Sequence, residues 1–229
     1  MGASNVDIAY DAIRRDIING VREPGEKMRI ERMREIYGIG ITPLRESLQR
    51  LAADGLVVIN GNRGFQVAPL VPEDFIDLNT ARTAVETAAL RLSIHNGGDD
   101  WEAGVVAAIY GLEKQDQLML EGKLKDFQRW QTLNKRFHTS LVEACGSSWL
   151  LRVRNSLHDQ CERYMRFSVY HERTSRNLLE EHRQIADAVL ARDVETACRL
   201  VTEHFSRTGT GLIQVLNEPA ELAKVHANH

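Results

Sequence analysis

The stretch Gly38–Asp54, GIGITPLRESLQRLAAD, reads as a turn feeding one short helix. Thr42 followed by Pro43 predicts where that helix starts. The threonine hydroxyl can accept from a first-turn amide, and Pro43 at the first helical position gives up a donor that has no intrahelical partner. Leu44, Leu48 and Leu51 recur at steps of four and three and form one apolar stripe. Arg45, Gln49 and Arg50 are left on the other side. Long cations and an amide, on a helix anchored by its opposite face, are the residue types that read guanine and adenine edges or hold phosphates in a major groove. A capped amphipathic helix is also ordinary packing material, so the flanks decide between the two.

Upstream, Arg29–Tyr37 predicts a second short helix, separated from the first by Gly38-Ile39-Gly40-Ile41, which is the spacing of a helix-turn-helix. Downstream, Gly55 ends the helix. Leu56–Ile59 and Phe65–Val67 then read as two short strands around Asn60-Gly61-Asn62-Arg63-Gly64, an Asn-Gly hairpin signal. A helix-turn-helix followed by a hairpin is a winged helix, with Arg63 at the wing tip, where it can enter a minor groove. Asn5–Gly20, with Ala9, Ile13 and Ile17 at steps of four, predicts a bracing helix, and Pro24-Gly25 turns the chain.

These residues resemble the winged-helix domain of GntR-type transcription regulators. The resemblance rests on Pro24-Gly25, Thr42-Pro43-Leu44-Arg45-Glu46-Ser47-Leu48, Leu51, Gly55-Leu56-Val57, Asn62-Arg63-Gly64-Phe65 and Val67, and covers about residues 6 to 68. Where the family usually has Ser-Arg before the Thr-Pro pair, this chain has Gly40-Ile41, so that arginine's operator contact does not carry over. The resemblance leaves Arg32 and Arg45, with Thr42, Gln49, Arg50 and Arg63, as the DNA-facing set, and implies an operator unlike that of better-known members.

The chain has 229 residues, 43% hydrophobic and 27% charged, enough for two modest domains with real cores. Through Leu70 it carries ten Lys/Arg against nine Asp/Glu, and beyond Leu70 nineteen against twenty-three. Attraction to DNA must therefore come from local placement, with Arg29, Arg32, Arg34, Arg45, Arg50 and Arg63 close together, and not from the overall field. Cys145, Cys161 and Cys198 have no paired spacing and read as buried thiols. With no signal-like N-terminus and no long apolar run, the expectation is a cytoplasmic protein without a membrane partner.

Ala68-Pro69-Leu70-Val71-Pro72 reads as a linker, which sets the boundaries at 1–68 for the DNA-binding domain, 69–73 for the linker, 74–217 for a helical domain and 218–229 for a tail. The helical periodicity from Glu73 to Asn217 is broken by brief stops into about six helices, which predicts an antiparallel bundle. The fold class is thus mainly α, a winged helix-turn-helix with a small hairpin wing followed by a six-helix bundle. Four polar residues stand where that bundle should be apolar. Asn134 and His138, at i and i+4, sit beside the stripe Phe127, Trp130, Leu133, Phe137 and Leu141. His182 is flanked by Leu178, Leu179 and Ile185, and His204 follows Leu200 and Val201. Each histidine alone is ordinarily a hydrogen-bonded core residue. Three from three helices, with one oxygen donor, can instead hold a first-row divalent metal ion such as zinc, nickel or manganese.

The span from about 73 to 217 resembles the all-helical ligand-binding (FCD) domain of the FadR-type branch of GntR regulators. That domain often carries Asp-x-x-x-His on one helix and a single His on each of two later helices. Asn134, His138, His182 and His204 match those positions, with Asn in place of Asp. The neutral amide leaves one more positive charge, so the metal binds more weakly or leans more on an anionic ligand. The resemblance also implies a small carboxylate effector held by the metal and a nearby arginine, for which Arg82 and Arg163 are the candidates. An alternative for Arg82 is a surface pair with Glu86. Tyr37-Gly38-Ile39-Gly40, Gly98-Asp99-Asp100-Trp101-Glu102 and Ala144-Cys145-Gly146-Ser147-Ser148 resemble the subgroup around the carbon-starvation-induced repressor, which implies a dicarboxylate. The resulting expectation is a homodimer that represses by binding double-stranded operator DNA and is released by the carboxylate. The alternatives are a regulator sensing the metal itself and a metal-dependent enzyme built on the bundle.

Overall fold

The structure is a computed structural model that describes residues 3–61, 64–169 and 176–217. In chain order it runs α1 (Asn5–Ile18), β1 (Lys27–Met28), α2 (Ile30–Tyr37), α3 (Ile41–Ala53), β2 (Val57–Ile59), β3 (Phe65–Val67), α4 (Pro72–Asn96), α5 (Asp99–Leu120), α6 (Phe127–Val142), α7 (Ser148–Val169), α8 (Leu178–Leu190) and α9 (Val194–Asn217). Among the described residues no helix is long and apolar enough to cross a membrane. The chain divides into two compact units. One comprises Met1–Leu78, Ser156–Glu172 and Gly211–His229, as far as these are described, and the other Asn79–Asn155 and Arg173–Thr210.

In the first unit α1 opens with a reciprocal capping box. Ser4 accepts from the Asp7 amide, and the Asp7 carboxylate takes the Ser4 amide in return. Ala9, Ile13 and Ile17 then face Met33 of α2 and Leu44, Leu48 and Leu51 of α3 in one core with Leu56, Val57, Phe65 and Val67 of the sheet. The stripe expected on α3 is the buried one. The Tyr37 hydroxyl donates to Asp16 at 2.6 Å and ties α2 to α1. Gly38 ends α2 in the left-handed conformation, φ 67 and ψ 20, where a side chain is strained.

Three details differ from expectation. α3 begins two residues early, at Ile41 with Gly40 as N-cap and no side-chain cap, so Thr42 lies inside the first turn and caps nothing. Every amide of a helix's first turn lacks an intrahelical acceptor, so Pro43 is as comfortable at the third position as at the first. The sheet has three antiparallel strands in the order β1-β3-β2, not two. Val57 pairs with Val67 and Ile59 with Phe65 across the hairpin, and Met28 pairs with Phe65 on the other edge. A two-residue strand carries no period to read. Pro72 was expected in the linker, yet it is the first residue of α4, where its missing N–H costs no helical bond. Asn62 and Arg63 lie outside the described residues.

The second unit draws on six helices and shares one apolar core, from Ala89, Leu90 and Ile94 of α4 through Val105, Ala108, Ile109 and Leu112 of α5 to Phe137 and Leu141 of α6, Ile185 and Val189 of α8, and Val201 and Phe205 of α9. Two of these helices start at polar caps. Asp126 accepts from the Arg129 amide at 2.9 Å before α6, and Asn177 accepts from the Glu180 amide at 3.1 Å before α8. All three cysteines are free and buried.

Leu48 is fully buried in the first unit's core. Leu48→Ala is expected to destabilise this unit by about 2–5 kcal/mol, read as a lower midpoint in chemical denaturation with little change in slope. A loss below about 1 kcal/mol would contradict the packing of α3 described here.

Candidate functional site

Two sets of functional side chains were expected, one in each unit. On the first, the apolar stripe of α3 turns Thr42, Arg45 and Gln49 outward, and Arg32 is exposed on α2. None of these four makes a side-chain hydrogen bond among the described residues. Arg50 is also exposed but occupied. It pairs with Asp7 at 2.9 Å, lies 4.8 Å from the Tyr10 ring centroid, and together with Ser4 holds the Asp7 carboxyl below its ordinary range. An exposed pair of this kind is worth little, so Arg50 can exchange Asp7 for a phosphate at small cost.

Arg163, expected beside the effector, belongs to the first unit, whereas the three histidines are in the second. Its Nη2 donates to the Ala68 carbonyl at 2.5 Å and its Nη1 to Gln160 at 2.8 Å. It forms part of a seam along α7 that holds the end of the wing. Asp159 pairs with Arg14, Gln160 donates to the Asp54 carbonyl, and the Val71 amide donates to the Tyr164 hydroxyl at 3.3 Å. An isolated helical arginine gives no sequence signal that separates these two uses.

In the second unit Asn134, His138, His182 and His204 are all buried, and the ligand atoms of the three histidines lie within 4.8 Å of one another. The imidazole centroids are 4.9 to 5.6 Å apart, walled by Phe137 and Phe205. Burial pushes the His138 imidazole well below its ordinary range, and His204, His182, Arg82 and Arg154 push it the same way. Burial pushes His204 down to about 3, although the hydrogen bond to Glu181 pulls upward. Both rings are therefore neutral at neutral pH and keep a lone pair for a ligand bond.

Two carboxylates set the ring orientations. His182 Nδ1 lies 2.7 Å from Asp116, whose other oxygen accepts from the Trp130 indole at 2.7 Å. His204 Nδ1 lies 2.9 Å from Glu181, and Arg176 clamps that acid through two bonds of 2.6 and 2.8 Å while donating to the His204 carbonyl at 2.9 Å. A histidine whose one nitrogen donates to a carboxylate offers the other as a ligand. Asn134 Oδ1, His138 Nδ1 and His182 Nε2 are buried and lack any hydrogen-bond partner. Buried lone pairs with nothing to accept from are costly, and a divalent cation is the species that satisfies all of them together, so this donor set fits a metal. Asp116 was missed, although it follows Leu112 by four on the buried stripe of α5, the same signal that marked the histidines. Glu181 and Arg176 give no such signal.

Arg82 is 3% exposed, with its guanidinium carbon 3.8 Å from the Phe205 ring centroid. The expected alternative pairing with Glu86 does not occur. Glu86 is engaged by Arg154 through bonds of 2.9 and 3.1 Å, a buried bidentate pair. Arg82 makes no hydrogen bond or ion pair among the described residues, and its Nε is buried without a partner. A cation left this way inside a core marks a place for an anion.

With this geometry the comparisons with known proteins agree. The sequence matches "Bacterial regulatory proteins, gntR family" over residues 6–67 and "FCD domain" over residues 77–207. The chain belongs to the GntR family, in its FCD-domain branch. It is 36% identical over 202 residues to the HTH-type transcriptional regulator BphR of Paraburkholderia xenovorans, covering 88% of this chain and 82% of that protein. It is 34% identical over 200 residues to the HTH-type transcriptional repressor GlaR of Escherichia coli, covering 86% and 90%. Its fold is that of E. coli McbR/YncC, with a TM-score of 0.78 at 19% identity over 94% of this chain and 100% of that one. This GntR protein is accordingly a DNA-binding transcription regulator and not an enzyme, and the alternative of a metal-dependent enzyme built on the bundle falls away.

Two substitutions check the second unit. Asp116→Asn keeps the shape but removes the charge behind His182, and is expected to weaken zinc binding about 10- to 100-fold in a competition titration. Unchanged affinity would mean that Asp116 does not orient a ligand. Glu86→Ala strands the Arg154 cation, and is expected to destabilise this unit by about 3–5 kcal/mol in chemical denaturation.

Proposed function

We propose that this regulator is a homodimeric repressor that acts in the cytoplasm, with residues 1–68 as the DNA-binding domain, 69–73 as linker, 74–217 as the effector-binding and dimerising domain, and 218–229 as a tail. Arg32, Thr42, Arg45, Gln49, Arg50 and Arg63 face operator DNA. One reading head covers a half-site, so a two-fold pair reads a pseudo-palindrome. Asn134, His138, His182 and His204 hold a divalent metal ion, and a small carboxylate binds beside it against Arg82. When bound, the ion supplies a Lewis-acidic point for a carboxylate oxygen. Arg163 is withdrawn as an effector residue because its guanidinium is spent on Ala68 and Gln160.

The observation that carries this reading is Arg82, a buried guanidinium without a counter-ion among the described residues, whose charge reaches His138. Three neutral imidazoles alone would serve a sensor of the metal itself. The unpaired cation beside them favours an organic anion as the signal. Repression is the activity named for GlaR, and the carboxylate would release it by binding more tightly to the state that fits DNA less well.

Gel retardation with the DNA upstream of the protein's own gene, at stated salt, tests the proposal. Wild type is expected to bind, Arg45→Ala to lose at least about tenfold in affinity, consistent with one lost base or phosphate contact, and one small carboxylate to weaken wild-type binding. Binding that follows added metal but ignores every acid would transfer the sensor role to the metal.

A further inference from the structure

Among the described residues the donor set holds no carboxylate. Each histidine offers a ring nitrogen and Asn134 an amide oxygen, and Asn134 Oδ1, His138 Nδ1 and His182 Nε2 are buried without hydrogen-bond partners. The surrounding charges decide what this implies. Arg154 is cancelled by Glu86, and Arg176 by Glu181. Asp116, fully buried behind His182, offsets one positive charge. Arg82 supplies one positive charge with no counter-ion among the described residues. With Asp116 and Arg82 balancing each other, a divalent ion entering the cavity brings its full two charges into a core that offers no anion to meet them. A carboxylate entering alone meets only Arg82. Each ligand lacks what the other provides, and charges buried in a core are tolerated only when paired.

We infer that Asn134 makes metal binding and anion binding mutually dependent, so that the cavity fills with both ligands or with neither. This rests on the reading above that the cavity takes a metal and a carboxylate, and adds that the protein holds either one poorly by itself. Linkage makes the dependence reciprocal, since whatever factor the anion contributes to metal affinity the metal contributes to anion affinity. Asn134 is the residue that sets the coupling. A carboxylate at that position would give the ion its anionic ligand from the protein and leave less for the effector to supply. The charge balance further predicts that a dianion couples more strongly than a monoanion.

The test is zinc titration of the metal-free full-length protein against a colorimetric chelator. It is run with no added anion, with acetate, and with each straight-chain dicarboxylate from malonate to adipate, corrected for each anion's own zinc binding. In wild type at least one dicarboxylate is expected to tighten zinc binding on the order of tenfold or more, and acetate less. Asn134→Asp is expected to bind zinc more tightly on its own and to keep only a few-fold response to the anion, roughly the lower end of measured couplings. Arg82→Gln, a second variant should the first fail to fold, is expected to lose most of the anion's effect. Tight zinc binding by wild type that no anion changes would overturn the inference and leave the metal site standing. No zinc binding under any condition, with DNA binding that still responds to an acid, would remove the metal from the proposed function and the inference with it.

Discussion

The second unit is governed by the cost of placing polar groups inside an apolar core. Histidines from three helices and an asparagine sit among Phe137, Phe205, Ile185 and Val201, where a neutral imidazole is tolerable and a charged one is not. Burial drives His138 and His204 to their neutral forms, which is the state a metal ligand needs. The supporting groups follow from the same constraint. Asp116 and Glu181 each take one ring nitrogen, and Trp130 and Arg176 each satisfy a carboxylate that would otherwise be stranded. Among the described residues of this unit, the buried side-chain atoms left without a partner belong to Arg82, Asn134, His138 and His182. A core selected for stability alone would carry leucines in these positions.

The first unit answers a different requirement, because its polar groups must stay outside. The stripe of Leu44, Leu48 and Leu51 fixes the rotation of α3 by burying one face completely, and so decides which side chains DNA can reach. Tyr37 to Asp16 and Tyr10 to Asp54 tie α2 and the end of α3 to α1 through hydrogen bonds of 2.6 Å. Such ties matter for recognition because a base contact depends on a side chain arriving within a few tenths of an ångström of its partner. The seam along α7 adds carbonyl acceptors at Asp54 and Ala68, one at each end of the segment that contains the hairpin.

Legibility in the sequence followed the length scale of each interaction. Helices with a sustained period were readable, as were the hairpin and the polar residues interrupting an apolar stripe, which is why His138, His182, His204 and Asn134 could be singled out. Features that rest on a single contact between distant residues were not. Arg154 with Glu86 spans 68 positions and Asp116 with His182 spans 66, and although Asp116 and His182 each interrupt an apolar stripe, nothing local pairs them with each other. The two arginines proposed for the effector show the limit from both sides. Arg82 and Arg163 look alike as helical arginines, yet among the described residues one has no hydrogen-bond or ion-pair partner and the other donates to Ala68 and Gln160. The cap position at α3 differs by two residues for a simpler reason, since all first-turn amides are free and a Thr-Pro pair fits more than one register.

A net charge of −3 over the whole chain bears on how such a regulator can be switched. Most proteins that bind DNA tightly do so through a large field that holds them on any sequence, and releasing them means opposing many phosphate contacts. On the proposed reading, attraction comes from a few arginines and polar side chains on α2 and α3, which would keep the non-specific background small and make each base or phosphate contact a large share of the total. A modest differential affinity of an effector for two states is then enough to shift occupancy, because tenfold needs only about 1.4 kcal/mol. The weak overall field and the buried, charge-hungry cavity are complementary in this sense. On the proposed reading, the first would keep the DNA affinity within reach of a small ligand, and the second would give a small anion the desolvation and electrostatic leverage that a surface site lacks.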